Sequence, residues 1–253
     1  MKNNTIILCL VALILAITSC KESTINESTT AVTFLVDVTE QSVFDEIDND
    51  FHQNLNAFFT NTGICKIDLG QRITIRMGAI DECDQLTLQS RSIALTNAKA
   101  SQREREMMRN PRPLVEMIST ELARYKQLSE KQKNSPIIDV TLKTFREMDP
   151  GTREILVICT DGLEFNTKYA NFYKDIPTTE QTVEKLISKI DPILLAEAKE
   201  KIAATNPEVV IVLKPNDKMK KTTELKQFYS EFMHQIGVNT VRFIDNLSNN
   251  PNL

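Results

Sequence analysis

Glycine is scarce in this chain, with six in 253 residues. A mechanism built on a glycine-rich phosphate loop therefore lacks its main material. Histidine is scarcer: His52 and His234 sit far apart on helical patterns, and no Cys/His spacing fits a zinc site. The same shortage speaks against Cys–His nucleophile chemistry. Basic residues are not in excess, since 30 Lys and Arg face 34 Asp and Glu for a net charge of −4. Phosphate backbones are held by clustered cations, so nucleic acid is not an expected partner. No apolar run approaches the roughly 20 residues that span a bilayer as a helix. What remains is ordinary in proportion, 41% hydrophobic and 25% charged. That excludes a disordered chain, a polytopic membrane protein and a collagen-like repeat.

The amino terminus reads as an address. Lys2 supplies a positive start, and Ile6 to Ile17 is an unbroken apolar run of the length used by secretory signals. Ile17-Thr18-Ser19-Cys20 follows and resembles a bacterial lipobox, which implies a signal peptide over 1–19 and acylation of Cys20. The other reading is a plain cleavage site that contains a cysteine. Several acyl chains on one cysteine, at about 0.8 kcal/mol per buried CH₂, anchor stably. The expected location is the bacterial cell envelope, periplasmic or surface-exposed, with the lipid membrane reached through acylated Cys20. Residues 20–30 are Ser/Thr/Glu-rich and read as a flexible tether. In that oxidising compartment Cys65 and Cys83, near the ends of neighbouring segments, are candidates for a disulfide, while Cys159 lies in an apolar run and reads as a small core residue.

The rest alternates between two periods. Strands are expected over Ala31–Val38, Gln71–Ile80, Leu86–Leu95, Ile155–Thr160, Val209–Leu213 and Val238–Ile244. Helices are expected where Val43, Ile47, Phe51, Leu55 and Phe58 recur, after Pro136, from Glu180 to Ala203 with a break at Pro192, and from Leu225 to Ile236. Segment 99–133 reads as a charged helical insertion that Pro111 and Pro113 split, with Leu114, Ile118, Leu122 and Tyr125 forming a stripe in its second half. Apolar strands alternating with helices imply an α/β domain over 31–246, with a doubly wound, mostly parallel central sheet and helices on both faces. Residues 247–253 are a tail.

Ligands of such sheets bind beyond the carboxyl ends of the strands, where the strand order reverses. The two most apolar strands end in Asp37-Val-Thr39-Glu40-Gln41-Ser42 and in Thr160-Asp161-Gly162, and Ser135 precedes the Pro136 helix. A buried Asp needs a cation, a shared proton or donors, and an all-oxygen set with two charges suits Mg²⁺ or Mn²⁺. Equally, Asp37 and Asp161 could simply cap the loops that follow them.

An Asp-x-Thr strand end, a distant Thr-Asp-Gly and a Ser-Pro helix start between them resemble the von Willebrand factor A (VWA) domain family. The resemblance covers about residues 31–246 and implies a metal-ion-dependent adhesion site. Asp37, Thr39, Ser135 and Asp161 would match its first, second, fourth and fifth members. The third position departs: Gln41 stands where Ser belongs, and Ser42 comes one residue late, turned by about 100° on a helix. Gln41 and Ser42 are therefore further candidates only. The resemblance implies binding rather than catalysis, with the ion's open position taking a carboxylate from a protein or envelope component. Two alternatives stand beside it: a metal-free scaffold with a degenerate site, and a Mg²⁺-dependent phosphoester hydrolase acting through Asp37.

Overall fold

The computed structural model describes residues 28–62, 71–82, 85–94, 111–129, 134–214 and 221–249. The expected signal peptide, Cys20, Cys65, Cys83 and the charged stretch before Pro111 lie outside the described residues. The first strand, β1 (Ser28–Asp37), starts inside the stretch read as a tether, pairing from Ser28 with Gln71 of β2 (Gln71–Ile80). Helix α1 (Gln41–Asn61) follows β1, and β3 (Gln89–Ala94) follows β2. Helices α2 (Pro111–Ser129) and α3 (Ile137–Arg146) lead to β4 (Arg153–Thr160). After β4 come two short strands, β5 (Phe165–Asn166) and β6 (Ala170–Asn171), then α4 (Glu180–Ile187) and α5 (Pro192–Thr205). The last elements are β7 (Glu208–Leu213), α6 (Thr222–Ile236) and β8 (Thr240–Ile244).

Six strands form one sheet in the order β3-β2-β1-β4-β7-β8. All neighbours are parallel except the edge strand β3, which runs antiparallel to β2. The order reverses between β1 and β4, so the crevice beyond their carboxyl ends is the topological switch point of a doubly wound fold. Alternation along each strand then sorts side chains between the two faces. Val32, Phe34 and Val36 of β1 and Ile155, Val157 and Cys159 of β4 pack with α1 and α2. Leu35, Leu156 and Ile158 face the other way, into α3, α4, α5 and α6. The central strands are buried on both sides, which is why they read as continuous apolar runs.

The helices follow from the chemistry of their ends. Pro192 breaks the 180–203 pattern by opening α5, with Asp191 accepting from the amides of Ile193 and Leu194. The prolines of segment 99–133 likewise stand in the first turn of α2, where their missing N–H groups cost nothing. The Leu114, Ile118, Leu122 and Tyr125 stripe is buried against α1 and the sheet, so this part of the expected insertion is a layer of the core. The ribbon β5–β6 fell in a stretch that reads only as polar loop, because two residues per strand show no periodicity. No described helix is long and apolar enough to cross a membrane.

Candidate functional site

Asp37 is the last residue of β1, one step beyond the paired residues Val36 and Cys159, and it is buried. Its Oδ1 accepts the Thr39 amide at 3.0 Å and the Thr39 hydroxyl at 2.6 Å. Its Oδ2 accepts the Thr160 hydroxyl at 2.5 Å and the Ser135 hydroxyl at 3.4 Å. Three hydroxyls from three separate chain segments therefore converge on one carboxylate. Burial pushes the Asp37 carboxyl above the usual carboxylate range, and these donors pull it partly back. No ion pair involves Asp37 among the described residues.

Asp161 stands at the neighbouring strand end and is also buried. Its Oδ1 accepts the Leu163 amide at 2.9 Å, while the Gly162 amide donates to the Thr160 hydroxyl at 2.9 Å. Each acid thus closes its own loop in the way expected of a cap, and Asp37 gathers foreign hydroxyls besides. Gly162 has φ +79°, and a Cβ there would lie 2.9 Å from Leu213 Cδ1, so the loop needs a residue without one.

Thr39 and Ser135 both donate to Asp37, and Thr160 adds a hydroxyl that the motif contained but to which no role was given. Gln41 turns elsewhere: its carbonyl oxygen accepts from the Ser129 hydroxyl and its amide donates to Asp45 at 2.8 Å. Ser42 donates to Glu40 at 2.9 Å, away from Asp37. Both belong to the first turn of α1, which carries them round the helix axis. The two histidines stay apart from the centre, with His52 against Asp48 and His234 on α6. Cys159 is a buried free thiol on β4, as its apolar setting indicated.

Glu164 was not legible, because an acidic residue four positions past a strand reads as exposed loop. It is fully buried. Its Oε2 accepts the Ile138 amide at 2.9 Å in the first turn of α3, and its Oε1 has no hydrogen-bond partner. Burial lifts its carboxyl well above the ordinary range, with Asp139 and Asp37 adding to the shift and the α3 amides opposing it. At the mouth of the crevice stands Tyr173, 42% exposed, its ring edge-on to Phe165 at 6.3 Å. Partial burial, then the carboxylates Asp161, Glu40 and Asp37, push its hydroxyl up to about 12. The crevice is therefore an anionic place lined with neutral oxygens.

Hydroxyls that now donate to Asp37 keep lone pairs, and turning about their C–O bonds would present those pairs to a cation. One carboxylate with three hydroxyls, and a second carboxylate on the adjacent strand, is a hard-oxygen set fitting Mg²⁺ or Mn²⁺. The described residues contain no group of three or more His, Cys, Asp or Glu side chains placed to hold a metal, so hydroxyl oxygens would have to complete the shell.

No family model matches the sequence, and no curated protein matches it. Among solved structures, the chain is similar to the open form of the pilus adhesin SpaC from Lactobacillus rhamnosus GG. The identity is 14% and the TM-score 0.42, over 88% of this chain and 28% of that one. It is similar to the human COPII-coat protein Sec24c at 9% identity and TM-score 0.37, over 89% and 31% of the two chains. Proximal thread matrix protein 1 from the mussel byssus is similar at 11% identity and TM-score 0.34, over 89% and 46%. The chain thus spans less than half the length of each of these structures.

Proposed function

We propose that the chain is a lipid-anchored, VWA-like binding module of the bacterial cell envelope, whose Asp37 crevice takes a divalent cation and through it a carboxylate of a partner protein. The observation that carries the reading is the convergence of the Thr39, Ser135 and Thr160 hydroxyls on buried Asp37 at the switch point. A buried carboxylate without a cation is costly, and hydrogen bonds from neutral hydroxyls offset only part of that cost. Asp37 and Asp161 together would neutralise a dication and leave it an open position for an acidic ligand. Neither Gln41 nor Ser42 is placed to help, so the set would consist of Asp37, Thr39, Ser135, Asp161 and the newly found Thr160.

The test is thermal unfolding of the full chain in detergent, with Mg²⁺ or Mn²⁺ against chelator. At a hundred times its dissociation constant, the ion should stabilise the folded form by about 2.7 kcal/mol. The shift should vanish in Asp37→Asn, which keeps the shape and loses the charge. An equal shift in that variant places the ion elsewhere, and no shift in the wild type leaves the metal-free scaffold.

A further inference from the structure

The first amides of a helix have no partner within it. At α3 the preceding residue is Pro136, which gives no side-chain cap. Glu164, from a different segment, fills that place: its Oε2 takes the Ile138 amide at 2.9 Å. The chain after it binds the same helix start in further ways. Ser135 and Phe165 exchange two backbone hydrogen bonds, of 3.1 and 3.0 Å. Asn166 Nδ2 and the Tyr169 hydroxyl both donate to Asp139 of α3, at 3.0 and 2.7 Å. The Phe172 amide returns to the Glu164 carbonyl at 2.9 Å and closes the ribbon on itself. Residues 164–172 are thus a clip that grips the start of α3, and two residues before that helix, ahead of Pro136, stands Ser135, whose hydroxyl reaches Asp37.

We infer that Glu164 is a positioning residue, its buried carboxyl locking the first turn of α3 to the loop after β4 and so holding the Ser135 hydroxyl against Asp37. The inference rests on the proposed ion site for its purpose, and on the clip alone for its mechanics. One feature separates it from ordinary packing. Glu164 Oε1 is buried and unpartnered, a costly state that an apolar residue would avoid. The carboxyl is worth that cost only if the bond from its other oxygen has a use. Acceptance of the Ile138 amide, and not negative charge, is the function, so glutamine should replace it and leucine should not.

The experiment compares the full chain in detergent with E164Q and E164L. Leucine fills the space, which limits loss of fold. The first reading is amide hydrogen exchange without metal. In E164L the segment 134–142 should exchange about tenfold faster, with β4 unchanged, while E164Q exchanges no faster than the wild type. The second reading is Mn²⁺ affinity, expected about tenfold weaker in E164L and near wild type in E164Q, as for residues that orient metal ligands. Wild-type exchange over 134–142 in E164L overturns the inference, as does E164Q behaving like E164L. If the wild type itself takes no Mn²⁺, the ion reading fails, and the exchange measurement still decides for or against the clip.

Discussion

A carboxyl that stays buried makes stability depend on pH, and Glu164 gives the sign. Its folded-state pKa is raised above the unfolded value by burial. The folded form therefore binds the proton more tightly, and the resulting stability is complete below the unfolded pKa near 4.5. It is lost as pH rises from there toward the raised folded pKa. Glutamine carries no such proton. In metal-free urea unfolding, E164Q should gain on the wild type from about pH 4.5 upward, by about 1.4 kcal/mol per pH unit until the folded pKa is passed. A difference that stays level from pH 4.5 to 8 contradicts this. At Gly162 the backbone decides instead. Gly162→Ala meets both a φ of +79° and the Leu213 methyl, and should cost about 1–3 kcal/mol in the same assay. These two residues show why the site was only half legible. Asp37, Thr39 and Asp161 announce themselves by ending apolar strands, whereas the burial of Glu164 depends on a ribbon that no periodicity reveals. Gln41 stands where the motif departs, and the first turn of α1 points its side chain at Ser129 and Asp45.

Among the elements, the carboxyl end of the sheet is fastened by a buried pair. Lys214, just past β7, lies 2.8 Å from Asp50 of α1, and both side chains are largely enclosed. The Leu247 amide donates to both Asp50 oxygens at 3.1 Å, and Lys214 Nζ donates to the Asp245 carbonyl at 2.7 Å. One acid thus ties α1, β7 and the turn after β8 together, and Leu247, read as the start of a tail, is fully buried. Asp50→Ala leaves Lys214 enclosed without its partner and should cost about 3–5 kcal/mol by denaturant unfolding. The double change Asp50→Leu with Lys214→Met removes both charges and should cost less than the single one. A double variant weaker than Asp50→Ala would show that Lys214 holds the Asp245 carbonyl to good effect even without its acid. Helix and strand positions were otherwise well marked, because α1, α2 and α6 carry apolar stripes and β1, β4 and β7 are apolar on both faces. The edge strand β3, with exposed Ser90, Arg91 and Ser92, was the weakest signal and proved shorter than expected.

At the level of the whole molecule, strand order does what no single motif can. A reversal between β1 and β4 brings residues 37, 135 and 160 to one point although they are distant in the chain. The sequence pattern implied a doubly wound sheet and the crevice where its ligands lie, but not which hydroxyls would face Asp37, since that depends on loop paths. The proposed lipid anchor belongs to this scale too. Replacing Cys20 with Ser should move the protein from the membrane fraction to the soluble one and abolish incorporation of labelled palmitate, while leaving thermal unfolding in detergent unchanged. Continued palmitate labelling in that variant would contradict acylation at Cys20.

The most direct measurement is a titration of the metal-free full chain with Mn²⁺, followed by electron paramagnetic resonance of the free ion. One Mn²⁺ should be taken up per chain, displaced by Mg²⁺ and lost in Asp37→Asn. A wild-type protein that leaves all Mn²⁺ free, or an Asp37→Asn protein that still binds one equivalent, would contradict a cation seat at the ends of β1 and β4.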